Sequence, residues 1–179
     1  MNTSSDGGYL LPTGEALADI ALEDILIGHV RQITGLTHEY VRPRWQSVVP
    51  KQPERDVNWC AVGIVEEDPD AGPVIERIDD KSVRNTRHEL VTVLATFYGA
   101  SAQQYAKRLR DGLGIPQNND LLKRDGLVFI ESMALMNVPE LVNEQWVRRY
   151  DLSFILRRRC NSTYAIQTIE HDSVVYHTD

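Results

Sequence analysis

The stretch Trp146-Val-Arg-Arg-Tyr-Asp-Leu-Ser-Phe-Ile-Leu-Arg-Arg158 places Tyr150, Leu152, Phe154 and Leu156 at every second position. Arg149, Asp151, Ser153 and Arg157 fall between them, with Ile155 as the exception. Successive side chains of a strand point to opposite faces, so this alternation predicts a long strand with one buried face. Residues 163–169 are expected to add a further strand and 174–176 a short terminal one. Upstream, Leu127 to Met136 is apolar at nearly every position and reads as another strand. Leu90 to Tyr98 alternates, with Val91, Val93, Ala95 and Phe97 on one side and Thr92 and Thr96 on the other. Val57 to Glu66 is apolar on both faces, which predicts a central, doubly covered strand. A turn at 67–72 would return the chain as a hairpin partner over 73–78.

Helical spacing appears in two places. Leu22, Ile25, Leu26, Val30 and Ile33 define a helix within 15–33, with Thr13 or Asp19 as candidate caps and Gly35 as its stop. Ser101 can cap a second helix running to about Gly112, with Tyr105 and Leu109 four residues apart. Residues 116–123 read as a helical turn or loop. Val41 to Trp45 is extended, because the residue before Pro43 is pushed out of the helical region, and 47–56 is a surface loop. Runs of strands with few helices predict an α+β fold, with a mixed, mainly antiparallel sheet and two main helices packed on one face. The organisation expected is a flexible arm over 1–13 and a single α+β domain over 14–179. Two helices cover about one face of such a sheet. The strands at 57–66 and 127–136 then leave apolar surface for a neighbouring subunit, or for the 38–56 segment folding back.

Composition narrows the function. At 179 residues, 42% hydrophobic and 25% charged, the chain can bury a core without metals or disulfides. Cys60 and Cys160 make no disulfide framework and read as small buried thiols. With 19 basic and 26 acidic residues the net charge is −7. That balance repels DNA at long range, and it suits a conduit wall that does not grip phosphates. Residues 1–14 show no basic flank or long apolar run, so no secretory leader is expected. No stretch approaches the ~20 apolar residues a membrane span needs.

The motifs for chemistry are incomplete. His88-Glu89 lacks a second histidine, since position 92 is Thr. Asp68-Pro-Asp70-Ala-Gly72 starts like a calcium loop but has Gly where the fifth position needs an oxygen. Gly112-Leu-Gly114 has no Lys-Ser or Lys-Thr after it and no strand before it. His29 reads as a helix-surface or packing residue, and His171 and His177 fit no ligand spacing. No catalytic, metal or cofactor residue is assigned. The concentrated charge is Arg157, Arg158 and Arg159, where alternation sends Arg157 and Arg159 to one face and Arg158 to the other. A solvated strand end, an inter-subunit contact through guanidinium forks and, disfavoured by the overall acidity, a phosphate contact are the open readings.

Ile33-Thr-Gly-Leu36, Val41-Arg-Pro-Arg-Trp-Gln46 and Asp56-Val-Asn-Trp-Cys-Ala-Val-Gly-Ile64 together resemble the neck or tail terminator proteins of tailed bacteriophages. The likeness is sharpest over 22–64, and the order of elements agrees loosely through about residue 158. The resemblance implies a structural virion protein without enzyme activity or cofactor. Such proteins form rings, typically hexamers, between head connector and tail tube, leaving a channel through which DNA passes without sequence-specific binding. Expected partners are sibling subunits, the tail tube and head-side neck proteins, with no membrane. The expected location is the virion, and the host cytoplasm during assembly. The expected interface residues are Arg42, Arg44, Trp45, Arg157, Arg158 and Arg159. Another head–tail joining or head-completion protein, or a small soluble enzyme or ligand-binding domain, are the alternatives.

Overall fold

The computed structural model describes residues 8–48, 50–142 and 144–166. In chain order the elements are α1 (Asp19–Thr34), β1 (Val41–Pro43), β2 (Trp59–Pro69), β3 (Val74–Asp79), β4 (Ser82–Tyr98), α2 (Ala102–Leu113) and α3 (Pro116–Arg124). They continue with β5 (Leu127–Ser132), β6 (Met136–Asn137), β7 (Glu140–Val142), β8 (Gln145–Val147) and β9 (Arg149–Ala165). The fold is α+β, with three helices and a mixed, mostly antiparallel sheet of seven strands. The main path runs β1-β2-β4-β9-β5, with β3 on β4 and β6 on β9, and β7 and β8 form a separate hairpin. Only β1 against β2 is parallel among the registers described.

The chain clusters into two compact units. The larger comprises Leu17–Ala71 and His88–Arg159. Its core lies on one face of the sheet. Cys60 and Val62 of β2, Val91, Val93, Ala95 and Phe97 of β4, and Leu152, Phe154 and Leu156 of β9 are buried in one cluster. Leu22, Leu26 and Val30 of α1 join them, with Ala106, Leu109 and Leu113 of α2 and Leu122 of α3. The alternation read along 90–98 and 150–156 is the period of this buried face. α1 ends as its sequence requires: Gly35 takes φ 76° and returns its N–H to the Arg31 carbonyl. Its start differs from expectation, because Ala18 occupies the cap position without a side-chain bond. Ser101 precedes α2 but gives no side-chain cap; its N–H is held instead by Asn58 Oδ1 at 2.7 Å. The 116–123 segment is a full helix, started by Pro116, whose fixed φ suits the first helical turn.

The smaller unit contains residues 8–16, 72–87 and 160–166 of the described chain. Here β3 pairs with the first residues of β4, from Val74 opposite Thr86 to Asp79 opposite Ser82. The hairpin partner of 73–78 is therefore the strand that follows, not β2. β2 pairs along β4 from Trp59 opposite Tyr98 to Pro69 opposite Glu89. Thr13 and Gly14 pair with Thr163, through Thr13 N–H to the Thr163 carbonyl at 2.7 Å and Thr163 N–H to the Gly14 carbonyl at 2.9 Å. Of the strand expected over 163–169, residues 163–165 complete β9, while 167–169, the strand at 174–176, His171 and His177 lie outside the described residues.

Two strand readings along 127–158 change. The apolar run from 127 ends as β5 at Ser132, with Leu127 buried but Val128 37% and Ile130 47% exposed. As the last strand on the path, β5 has a neighbour on one side only among the described residues, so its apolar content does not mark a doubly covered strand. Trp146 belongs to the β7–β8 hairpin, opposite Leu141, and the long strand starts at Arg149.

Candidate assembly interface

The two quoted strings at 41–46 and 56–64 meet in space. β1 lies parallel to β2 with Val41 opposite Cys60, Arg42 opposite Ala61 and Pro43 opposite Val62. The pairing continues one step further through Arg44 N–H to the Val62 carbonyl at 2.7 Å. Beyond it the chain folds over the second face of β2, the face opposite the core. A Cβ on Gly63 would lie 2.7 Å from Trp45 Cζ3 and 2.9 Å from Arg44 Cβ, so only glycine leaves room for this cover. Part of the second face is thus covered by the 38–56 segment, as one of the two sequence expectations had it.

Both arginines of this segment are held by neutral acceptors. Arg42 donates through Nε to the Glu39 carbonyl at 2.8 Å and through Nη1 to the Lys51 carbonyl at 3.1 Å. Arg44 Nη1 donates to Thr96 Oγ1 at 2.6 Å, and its guanidinium carbon sits 5.9 Å from the Trp45 ring centre. Among the described residues neither forms an ion pair. Trp45 is 59% exposed. These residues border a cleft of about 290 Å³ whose floor includes Trp59 and Tyr98. Those rings stack 4.4 Å apart at 10°. A second cleft of about 310 Å³ shares Trp59 and Tyr98 and is lined by residues 51–55 and the β7–β8 hairpin. Burial raises the Tyr98 phenol above its ordinary value, which keeps it neutral. The stacked pair escaped the sequence reading, because its partners are 39 positions apart (98 minus 59) and meet only through the β2–β4 register.

The arginine triplet divides as alternation requires. Arg157 and Arg159 are exposed, while Arg158 is on the core face with a side chain only 10% exposed. Arg158 Nη1 donates to the Leu17 carbonyl at 2.6 Å. Its Nε and Nη2 reach Glu89 Oε2 at 3.1 and 3.0 Å, and Nη2 reaches Glu67 Oε2 at 3.3 Å. Arg158 therefore ties β9 to β2, β4 and the entry to α1 within one subunit. Arg157 pairs with Asp70 at 2.6 Å. The triplet and the Arg42–Trp45 segment do not converge: Arg42 and Arg44 border β2 at its start, whereas Arg157 and Arg158 pair with carboxylates near its end.

Other titratable groups have packing roles. Burial pushes the Cys60 thiol well above its ordinary range, with Arg44 pulling the other way and Asp151 reinforcing the rise. His29 Nε2 meets Asp125 Oδ2 at 2.7 Å, tying α1 to the end of α3. Among the described residues no group of three or more His, Cys, Asp or Glu side chains is placed to hold a metal, and no helix is long and apolar enough to cross a membrane.

A family model described as phage neck terminator protein matches residues 21–179, and the chain belongs to that family. It is accordingly a structural protein of the bacteriophage virion, located at the neck and associated with other head and tail proteins. No curated protein matches the chain.

Proposed function

We propose that the chain forms a closed ring at the neck, hexameric as the family resemblance suggests, which terminates the tail, joins it to the head-side connector and leaves a channel for DNA. The observation that carries this reading is the apolar surface a single copy leaves uncovered at the β5 side of the sheet. Val128, Ile130, Met133 and Met136 are 37%, 47%, 43% and 61% exposed in a continuous stretch of sequence. Apolar side chains exposed together along one edge segment favour burial against a partner. The net charge of −7 supports passage of DNA without retention, since a wall poor in basic charge does not release counterions from the phosphates. Arg42, Arg44, Trp45, Arg157 and Arg159 remain the proposed contact residues, and Arg158 supports the subunit from within. Assembly would proceed in the host cytoplasm.

Electron microscopy of purified tails tests the reading. Tails carrying the protein should end in a ring of density with a central opening. Tails from phage lacking the gene should lose that ring and fail to join heads. Normal head–tail joining without the protein would refute it.

A further inference from the structure

We propose that residues 8–12 of one copy lie along the β5 edge of the next copy in the ring, with Tyr9 and Leu11 seated against Val128, Ile130, Met133 and Met136. The inference rests on the ring reading and adds which two surfaces meet.

The donor is a segment that its own copy leaves bare. Thr13 and Gly14 are tied to Thr163 by backbone hydrogen bonds at 2.7 and 2.9 Å. Residues 8–12, just before them, make no hydrogen bond to any other described residue. Tyr9 is 93% exposed and Leu11 58%. Two positions apart, their side chains point the same way when the segment is extended.

The acceptor is the outer side of β5 and β6. Val128 stands opposite Arg157 and Met136 opposite Asp151, so both side chains lie on the face of β9 that turns away from the core. Ile130 sits in the bulge between Phe129 and Glu131, and Met133 donates its N–H to the Ser153 carbonyl at 2.8 Å. The main-chain edge is partly engaged, because the Phe129 N–H points to Asn119 Oδ1 of α3 at 3.4 Å. Pro12, for its part, has no N–H to give a sheet. The contact is therefore apolar packing of side chains and not strand addition.

Length and chemistry match. The register partners of Val128 and Met136 are six positions apart on β9 (157 minus 151), about 20 Å at ~3.3 Å per residue. Five extended residues reach about 17 Å, enough to follow most of that edge. Glu131 is the one charged residue from 128 to 136, and its exposed carboxylate can accept from the Tyr9 hydroxyl while the ring packs beside it. Arm and edge are both exposed in a single copy, and laying one on the other takes apolar area of both out of water. They are different patches, so each copy gives an arm and receives one. Such a contact is heterologous and can close into a ring.

The test is a cysteine cross-link in the full-length protein. Cys60 and Cys160 are buried, and oxidised wild type sets the background. Leu11→Cys and Ile130→Cys are made singly and together; both positions are exposed, and circular dichroism checks that each variant is folded. The two single variants, co-expressed and oxidised, should give a covalent heterodimer on a denaturing, non-reducing gel. The double variant should give a covalent ladder that ends at the closed ring. Separately, Tyr9→Ser combined with Leu11→Ser should weaken assembly at least about tenfold in sedimentation velocity. Rings that form without the cross-link and tolerate the serine substitutions would overturn the contact while leaving the ring reading intact. A double variant that cross-links only within one copy would overturn it too, the arm then lying on its own β5 edge. A ladder that stops at covalent dimers would show reciprocal exchange about a two-fold axis, against the head-to-tail arrangement. A wild type that stays monomeric, with no cross-link in the variants, would overturn the contact, and imaging of the neck would then decide the ring reading separately.

Discussion

Replacing Arg158 by Met should destabilise the subunit without touching an inter-subunit surface. The guanidinium is 10% exposed and satisfies the Leu17 carbonyl, Glu89 and Glu67 together. Methionine fills part of the volume but leaves two carboxylates facing each other, one of them Glu89 with a side chain 21% exposed. Removing one partner from a buried ion pair costs about 3–5 kcal/mol. The Glu67 side chain is 41% exposed, so solvent discounts its share. About 2–4 kcal/mol of lost stability is the result. For a chain of this size each kcal/mol lowers Tm by about 2–4 °C, which gives a fall of roughly 4–16 °C. Urea denaturation followed by tryptophan fluorescence measures it, with the midpoint falling and the slope unchanged. Arg158→Lys, which keeps the charge but loses the fork, should fall between wild type and Arg158→Met. A loss under about 0.5 kcal/mol, within the range of ordinary surface substitutions, would refute the internal role and return Arg158 to the list of contact residues.

Three further outcomes follow from the same structure. Gly63→Ala should cost about 1–3 kcal/mol, the usual penalty of overpacking, because the new methyl meets Trp45 and Arg44 Cβ; a shift in Trp45 fluorescence with unchanged core packing checks it, and an unperturbed variant would show that the cover does not rest on Gly63. Cys60 should resist alkylation by iodoacetamide at pH 8 in the native protein and react fully once unfolded, since burial raises its pKa and suppresses the thiolate. The same shift has a defined sign for stability. A folded pKa raised above the unfolded value contributes stability that is complete below about pH 8.5 and is lost as pH rises above it, so a pH series of denaturation midpoints should decline on the alkaline side, and less so in Cys60→Ala.

The sequence conveyed most where one period held without interruption. Val91 to Phe97 and Tyr150 to Leu156 alternate because one face of β4 and β9 is buried, and that face was legible residue by residue. The helix at α1 was legible for the same reason. α3 was less so, since Leu122 is its one buried side chain and the pattern is too sparse to show a period. β5 was overextended because apolar side chains on an edge strand look like core until their neighbours are known. The pairing of β3 with β4 instead of β2 is a matter of partner choice, which alternation does not encode. At the candidate interface the two strings at 41–46 and 59–64 were recognisable separately. That Trp45 and Arg44 sit on Gly63 follows from a parallel register closed across the 44–58 connection, which local pattern does not specify. The engagement of Arg158 by three groups from distant segments was hidden for the same reason: Glu67, Glu89 and Leu17 are neighbours only after the sheet has formed.

The most direct measurement is a reconstruction of the neck in intact phage particles at a resolution that traces side chains. This chain should appear there as a closed ring around the DNA path, with Val128, Ile130, Met133 and Met136 of each copy covered by a neighbour. A neck in which this chain stands as isolated single copies, its second sheet face open to solvent, would contradict it.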